Sequence, residues 1–395
     1  MNRKLVVFLS LMLCSCLSTG CLDEMELNDL AIDMGAGIDL VKPKQFSVTK
    51  QFIVPSKMNG SQTQGGQANN AYFIISSTGS DISECIKKNQ LQLSRHIFVS
   101  YRRNLYIGEN MAKHGIERTM DVFNRDPKNR LRTDVWVVKD GEARTLLRLS
   151  YPLEPFSAAA ASQIYKAMGG EVGESFLNFL MDVENDSTYP TLPAVEIVSK
   201  VGEGQTKPAI QLAGRAIFDK NLHLIGYLTF DEAVERLWIL GKDSYGFFHC
   251  EVPNQKGNVT VNITHVRSRI RTMIHPHNQV EINVELKGTG IVRENNTFLD
   301  LSQPENIDEV ERSFDAQASK QVSNMIARVQ HQFGADVFNF GENINRQHPV
   351  IWNQLRNNWK DEFSHANVHV AVKVAIRHVG LVGAPLAAKG SDIKQ

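Results

Sequence analysis

The strongest pattern lies towards the C-terminal end of the chain. Across residues 307–333 apolar side chains recur at three- and four-residue steps: Ile307, Val310, Phe314, Val322, Met325, Ile326, Val329 and Phe333. The opposite face carries Glu309, Glu311, Arg312, Lys320 and Arg328. That period predicts a long amphipathic helix packed on a sheet. Residues 349–363 place Trp352, Leu355, Trp359 and Phe363 on one stripe of a second helix, after an aromatic-glycine loop over 334–341. Residues 368–376 (VHVAVKVAI) change to alternation and predict a last strand.

Upstream the pattern is shorter in range. A short acidic helix is expected over 22–30, then two strands over 31–41 and 45–54 with a turn near Pro43. Residues 56–70 have almost no apolar side chain and predict a mobile loop. A strand over 72–76 precedes a helix to about Leu93, with Ser80 or Asp81 as cap and Glu84 placed for a capping box. After a strand at 96–101, residues 109–123 predict one helix with Gly115 inside it, closed by Arg125-Asp126-Pro127. Residues 133–139 and 143–149 flank Asp140-Gly141, a hairpin signal. Ser157 opens an alanine-rich helix ending at Gly169-Gly170, and 175–183 predicts another.

A polar run beyond Val198 marks a boundary. Past it come a hairpin (210–218 and 224–230), a short helix (231–240), and strands over 246–252, 259–269, 270–275 and 280–290. The expected class is α+β, a multi-part body in which each part is a mostly antiparallel sheet with packed helices. The expected domains are 21–198 and 199–384, the latter dividing near 255–300, with a frayed tail over 385–395.

The first residues belong to a different chemistry. Arg3 and Lys4 precede an apolar run over 5–17, then Ser18, Thr19, Gly20 and Cys21. Basic, apolar and small parts in that order make a secretory signal peptide. The run is shorter than the roughly 20 apolar residues a spanning helix needs. A cysteine directly after the small residues admits attachment of a diacylglyceryl group, with cleavage after Gly20. One acyl chain holds only marginally, whereas two make a stable anchor. Ser18 stands where bacterial lipoproteins usually have Leu, and Leu17 falls one residue early. A secreted protein with a chance cysteine is the competing reading. Cys14 and Cys16 leave with the peptide.

Composition narrows the function. Of 395 residues 42% are hydrophobic, enough for a sizeable core. Loss of Arg3 and Lys4 leaves a net charge of about −2, which gives nucleic acid no purchase. Cys85 and Cys250 can pair or stand as separate thiols, and separate thiols are the expectation. His275-Pro276-His277, His365 and His369 lack the further ligands of a metal site, so no metal or cofactor is expected. Gly35, Gly37 and Gly65-Gly66 lack the lysine and the setting of a phosphate cradle, and no G-x-S-x-G elbow occurs. Arg102-Arg103 reads as an exposed pair. Phe338, Phe340, Trp352 and Trp359 are expected in a core, with a partner-binding patch as the competing use. Nothing points to an enzyme.

Four stretches taken together resemble one family: Gly20-Cys21-Leu22-Asp23 with Glu26-Leu27 and Ile38-Asp39; residues 94–127; residues 214–230 (GRAIFDKNLHLIGYLTF) with Phe218, Gly226 and Leu228; and residues 330–359 with Asp336, Phe338, Phe340-Gly341, Pro349, Trp352 and Trp359. These are similar to the Ger(x)C spore-germination lipoproteins, the C subunits of germinant receptors, although Leu22 stands where the family often has Trp. The resemblance implies a non-catalytic receptor subunit on the outer face of the cytoplasmic (inner spore) membrane. It would be held there by Cys21 as N-palmitoyl and S-diacylglyceryl cysteine. Its partners would be integral-membrane A and B subunits, and small nutrients such as amino acids or sugars would trigger the receptor. The rival is a substrate-binding lipoprotein of a transporter, a class with two lobes of parallel sheet around a cleft.

Overall fold

A computed structural model describes residues 26–55, 71–151, 153–168, 175–202, 205–242, 246–276 and 279–380. The alternating segments at the start pair as expected. β1 (Leu30–Lys42) and β2 (Gln45–Ile53) form an antiparallel pair, and β3 (Tyr72–Gly79) adds beside β2. The helix expected over 22–30 is, among the described residues, one 3-10 turn at Leu27–Asp29. α1 (Ile82–Gln90) is capped by Asp81, which accepts from Glu84 N at 2.8 Å, while Glu84 accepts from Ser80 N at 2.7 Å. The chain continues through β4 (His96–Phe98), β5 (Asn104–Gly108), α2 (Glu109–His114), α3 (Glu117–Arg125) and β6 (Asp134–Lys139). Next come α4 (Ala143–Arg148), α5 (Ala160–Ala167), α6 (Phe176–Glu184) and the strands β7 (Thr191–Gly202), β8 (Gln205–Phe218) and β9 (Leu224–Leu228).

These strands make one sheet in the order β3-β2-β1-β5-β6-β7-β8-β9, with β4 beside β1. Its wings are antiparallel, but β1, β5, β6 and β7 run parallel. Parallel neighbours require crossovers: β2, β3, α1 and β4 lie between β1 and β5, α2–α3 between β5 and β6, and α4–α6 between β6 and β7. This corrects two expectations. The single helix over 109–123 breaks at Gly115, whose φ of +107° no helix accommodates. Asp140-Gly141 turns β6 into α4 rather than into a second strand, and Ala143, Leu146 and Leu147 bury one helical face on the sheet. Gly37 lets that helix approach: a Cβ there would lie 2.8 Å from Ala143 Cβ. Side chains alternate across the sheet. One core holds Ile38, Leu105, Ile107, Val135 and Val137, and the other holds Tyr106, Trp136 and Val138.

The second part begins with α7 (Phe230–Ile239), closed at its start by a Thr229–Glu232 capping box. β10 (Phe247–Glu251), β11 (Asn258–Ile274) and β12 (Val280–Asn295) are antiparallel. The two strands expected over 259–275 are thus one. α8 (Pro304–Gln332) follows, then α9 (Phe340–Gln347), α10 (Pro349–Leu355), α11 (Trp359–His365) and β13 (Asn367–His378), parallel to β12. α8 buries Val310, Phe314, Val322, Met325, Ile326 and Val329, the stripe its period predicted. The α+β class stands, with two sheets. The division placed at 198/199 falls inside the β7–β8 hairpin, and β8 and β9 extend the first sheet.

Candidate functional site: tether, junction and buried charges

Gly20 and Cys21 lie outside the described residues, as do the polar segment 56–70, Gly169-Gly170 and His277. Glu26 leads through the 3-10 turn directly into β1, a central strand that pairs with β2, β4 and β5. Anything fixed just ahead of Glu26 therefore pulls on the middle of the first sheet.

The family-like aromatic residues meet at the junction of the two parts. Phe338, Phe340, Trp352, Trp359 and Phe363 are all buried, which makes them core rather than an exposed patch. The organising group is Asp336. Its carboxylate accepts from Phe338 N (3.0 Å), Phe340 N (3.2 Å), Gly341 N (2.8 Å) and Trp359 Nε1 (3.1 Å). Burial pushes its pKa up while these four donors draw it down. Its backbone carbonyl accepts from Tyr189 N at 2.9 Å, so the same residue grips the first part. Thr188 Oγ1 lies 3.0 Å from Asn339 Oδ1, and within the second part Arg236 Nε of α7 braces the same loop by donating to Val337 O at 2.7 Å. Gly226 of β9 is pressed on Phe333: a Cβ there would lie 2.2 Å from the ring. Arg328 of α8 pairs with Glu232 at 2.6 Å and donates to Tyr227 O at 3.2 Å. The two parts share polar and apolar contacts along one seam.

A second polar cluster was not legible. Arg102, expected at the surface beside Arg103, is 3% exposed, whereas Arg103 is exposed. Asp33 of β1 holds Lys50 Nζ of β2 at 2.9 Å and Arg102 Nη1 at 3.4 Å, all three within the interior. Arg102 also donates to Asn129 and lies 4.7 Å over the Phe123 ring. Burial lowers the pKa of Lys50, and Asp33 opposes that shift. The signal available in the sequence was a charge inside an apolar alternation, Asp33 in AIDMGAGIDLV and Lys50 in QFSVTKQFIV.

The remaining candidates are scattered. His275 bonds Glu281 at 2.7 Å and His365 bonds Asp361 O at 2.9 Å. No group of three His, Cys, Asp or Glu is placed to hold a metal among the described residues. Cys85 and Cys250 are free thiols in different cores, and burial raises both, Cys250 to about 11. No helix among the described residues is long and apolar enough to cross a membrane.

Fold and site together define an α+β protein of two joined sheets whose buried polar residues hold its parts in register. Residues 23–197 match the family described as spore germination protein N-terminal domain, and residues 213–380 match spore germination B3/GerAC like, C-terminal. The chain belongs to this Ger(x)C family of spore germination proteins. Spore germination protein KC of Bacillus subtilis (strain 168) is 23% identical over 99% of this chain and 100% of its own length. Spore germination protein YndF of the same strain is 25% identical, with 96% of each chain covered. The crystal structure of the GerBC protein shares the fold, with a TM-score of 0.54 at 18% identity over 87% of this chain and 96% of that one.

Proposed function

We propose that this chain is a lipid-anchored, non-catalytic C subunit of a nutrient germinant receptor. In this reading Cys21 carries the N-palmitoyl and S-diacylglyceryl groups. The body stands on the outer face of the cytoplasmic (inner spore) membrane, and membrane-spanning A and B subunits are its partners. The observation that carries the reading is the consecutive match of two spore-germination domains across nearly the whole mature chain. The signal anatomy of residues 1–21 supplies the anchor. Mass spectrometry of the protein isolated from spores tests it: the mature chain should begin at Cys21 with both lipid groups. A bare terminus refutes the anchor. Cys21→Ala should impair the germination response and release the protein from membranes washed in high salt.

Two features suit the rival, a substrate-binding lipoprotein with lobes of parallel sheet: Asp140-Gly141 is a strand-to-helix turn, not a hairpin, and the centre of the first sheet is parallel. The cleft between α5 and α7, lined by Tyr165, Leu212, Arg215, Phe230 and Leu237, encloses only about 40 Å³, too little for an amino acid or a sugar, and so lends it no support. Family membership weighs against it. A thermal-shift screen of the lipid-free chain with amino acids and sugars separates the two: a nutrient-specific rise in melting temperature supports the rival.

A further inference from the structure

The outward face of the second sheet segregates charge. Arg267, Arg269 and Arg271 alternate along β11, and all three are exposed. The strand register sets Arg267 opposite Lys287 of β12, and Lys287 opposite Lys373 of β13. Three cations therefore stand in one row across three strands, at the ~4.8 Å spacing of neighbouring strands. Like charges directly opposite one another destabilise a sheet. The carboxylates on this patch are Glu281 and Glu285. Glu281 is taken by His275, and Glu285 lies 3.7 Å from Arg271. Arg267, Arg269, Lys287 and Lys373 form no salt bridge with another described residue, although Arg269 stands opposite Glu285 and Asp315 of α8 attracts Lys373. The mature chain as a whole is nearly neutral, so this face is a local excess of one sign.

We propose that this cationic face lies on an anionic phospholipid surface. The choice of a lipid leaflet over an acidic protein rests on two observations. The cations are spread over three strands of a pleated face, which suits a smeared negative charge better than one carboxylate. The second is reach, and it rests on the anchor reading above: from Cys21 to Glu26 a fully extended chain covers at most ~18 Å. A body on so short a leash stays at the leaflet. There each basic side chain near an anionic surface adds roughly fivefold to the partition.

The test uses the chain from Leu22 onward, which keeps every described residue and has no lipid. It is sedimented at low salt with vesicles of phosphatidylcholine alone or mixed with phosphatidylglycerol. The expected result is binding to the mixed vesicles only, abolished at ~1 M salt, where the screening length falls to about 3 Å. The triple variant Arg267→Gln, Lys287→Gln, Lys373→Gln should fold, since it relieves repulsion, and should lose roughly a hundredfold in partition. Absence of binding, equal binding to both vesicles, or full binding by the triple variant overturns the proposal. Because Cys21 is missing from this chain, such a failure leaves the anchor reading untouched. A bare terminus in the mass spectrum refutes the anchor without touching the vesicle result.

Discussion

Replacing Asp33 with Asn tests the buried cluster most sharply. The substitution keeps the shape and removes the anion in contact with Lys50 at 2.9 Å and Arg102 at 3.4 Å, leaving both only the more distant attraction of Asp126. Both cations have almost no contact with solvent, their side chains being 2% exposed. Stranding one partner of a buried pair costs about 3–5 kcal/mol, and here a single change strands two. Arg102 keeps Asn129 and the Phe123 ring, so Lys50 bears most of the loss. Lys50 has a route of escape, because it can discharge. Burial already lowers its pKa, and removing Asp33 removes the main attraction that resists this. The unfolded lysine titrates near ~10.4. Between the lowered folded pKa and that value the native state holds fewer protons than the unfolded state, so stability rises with pH. The deficit of Asp33→Asn should therefore be largest near about pH 7 and shrink towards about pH 10. Adding Lys50→Met should recover most of it, since a volume-matched apolar side chain replaces the stranded charge. Urea denaturation of the chain from Leu22 at both pH values reads all three quantities. A cost below ~1 kcal/mol at neutral pH, or a deficit that does not change with pH, would refute the reasoning.

Glu235 gives a pH effect of opposite sign. Desolvation pushes its pKa up to about 7 although Gln321 donates to it at 2.6 Å. The native state then holds more protons than the unfolded state between about pH 4.5 and 7, and stability falls as pH rises through that window, by roughly 3 kcal/mol at most. Glu235→Gln should flatten this slope in urea titrations, and an unchanged slope would show that the carboxyl is not the cause. Asp336→Ala leaves three backbone N–H groups and the Trp359 indole without an acceptor, each worth about 1–3 kcal/mol when buried. It should lower the unfolding midpoint strongly and red-shift tryptophan emission. A native spectrum with a loss under ~1 kcal/mol contradicts this. Gly226→Ala drives a methyl into Phe333 and should cost about 1–3 kcal/mol, partly restored by Phe333→Leu. A melting temperature equal to wild type would mean the seam is looser than described.

What the sequence announced and what it hid divide along the range of the interactions. α8 and β13 were legible because their apolar positions repeat with a fixed local period, and the buried stripe of α8 is the one read from sequence. The β8–β9 hairpin was legible from its turn at 219–222. Asp140-Gly141 misled because a turn that suits a hairpin also suits entry into a helix. The buried triplet Ala143, Leu146 and Leu147 carried the contrary, helical spacing. The parallel centre of the first sheet depends on which strands become neighbours, and no local pattern encodes that. Arg102 was misread for the same reason. Its partners Asp33 and Phe123 are distant in sequence, and a charged dipeptide reads as surface until they are placed. α9 was missed because Phe340–Gln347 is mostly polar, its helix held by the fold around Asp336. The anchor at Cys21 is an expectation from the signal anatomy, and the residue lies outside the described ones.

The way β8 and β9 complete the first sheet limits how genes of this family can recombine. The two matched segments end and begin at 197 and 213, yet the hydrogen bonds of β7 run onto β8 from Thr191 to Gly202. A splice between relatives in that interval would unite two halves of different hairpins. A protein truncated there would present the bare ladder of β7 as a template for aggregation. The tolerant exchange point is instead Thr229, between the last strand of one sheet and the first helix of the other part. Chimaeras joined at that residue should stay soluble where chimaeras joined near 200 precipitate.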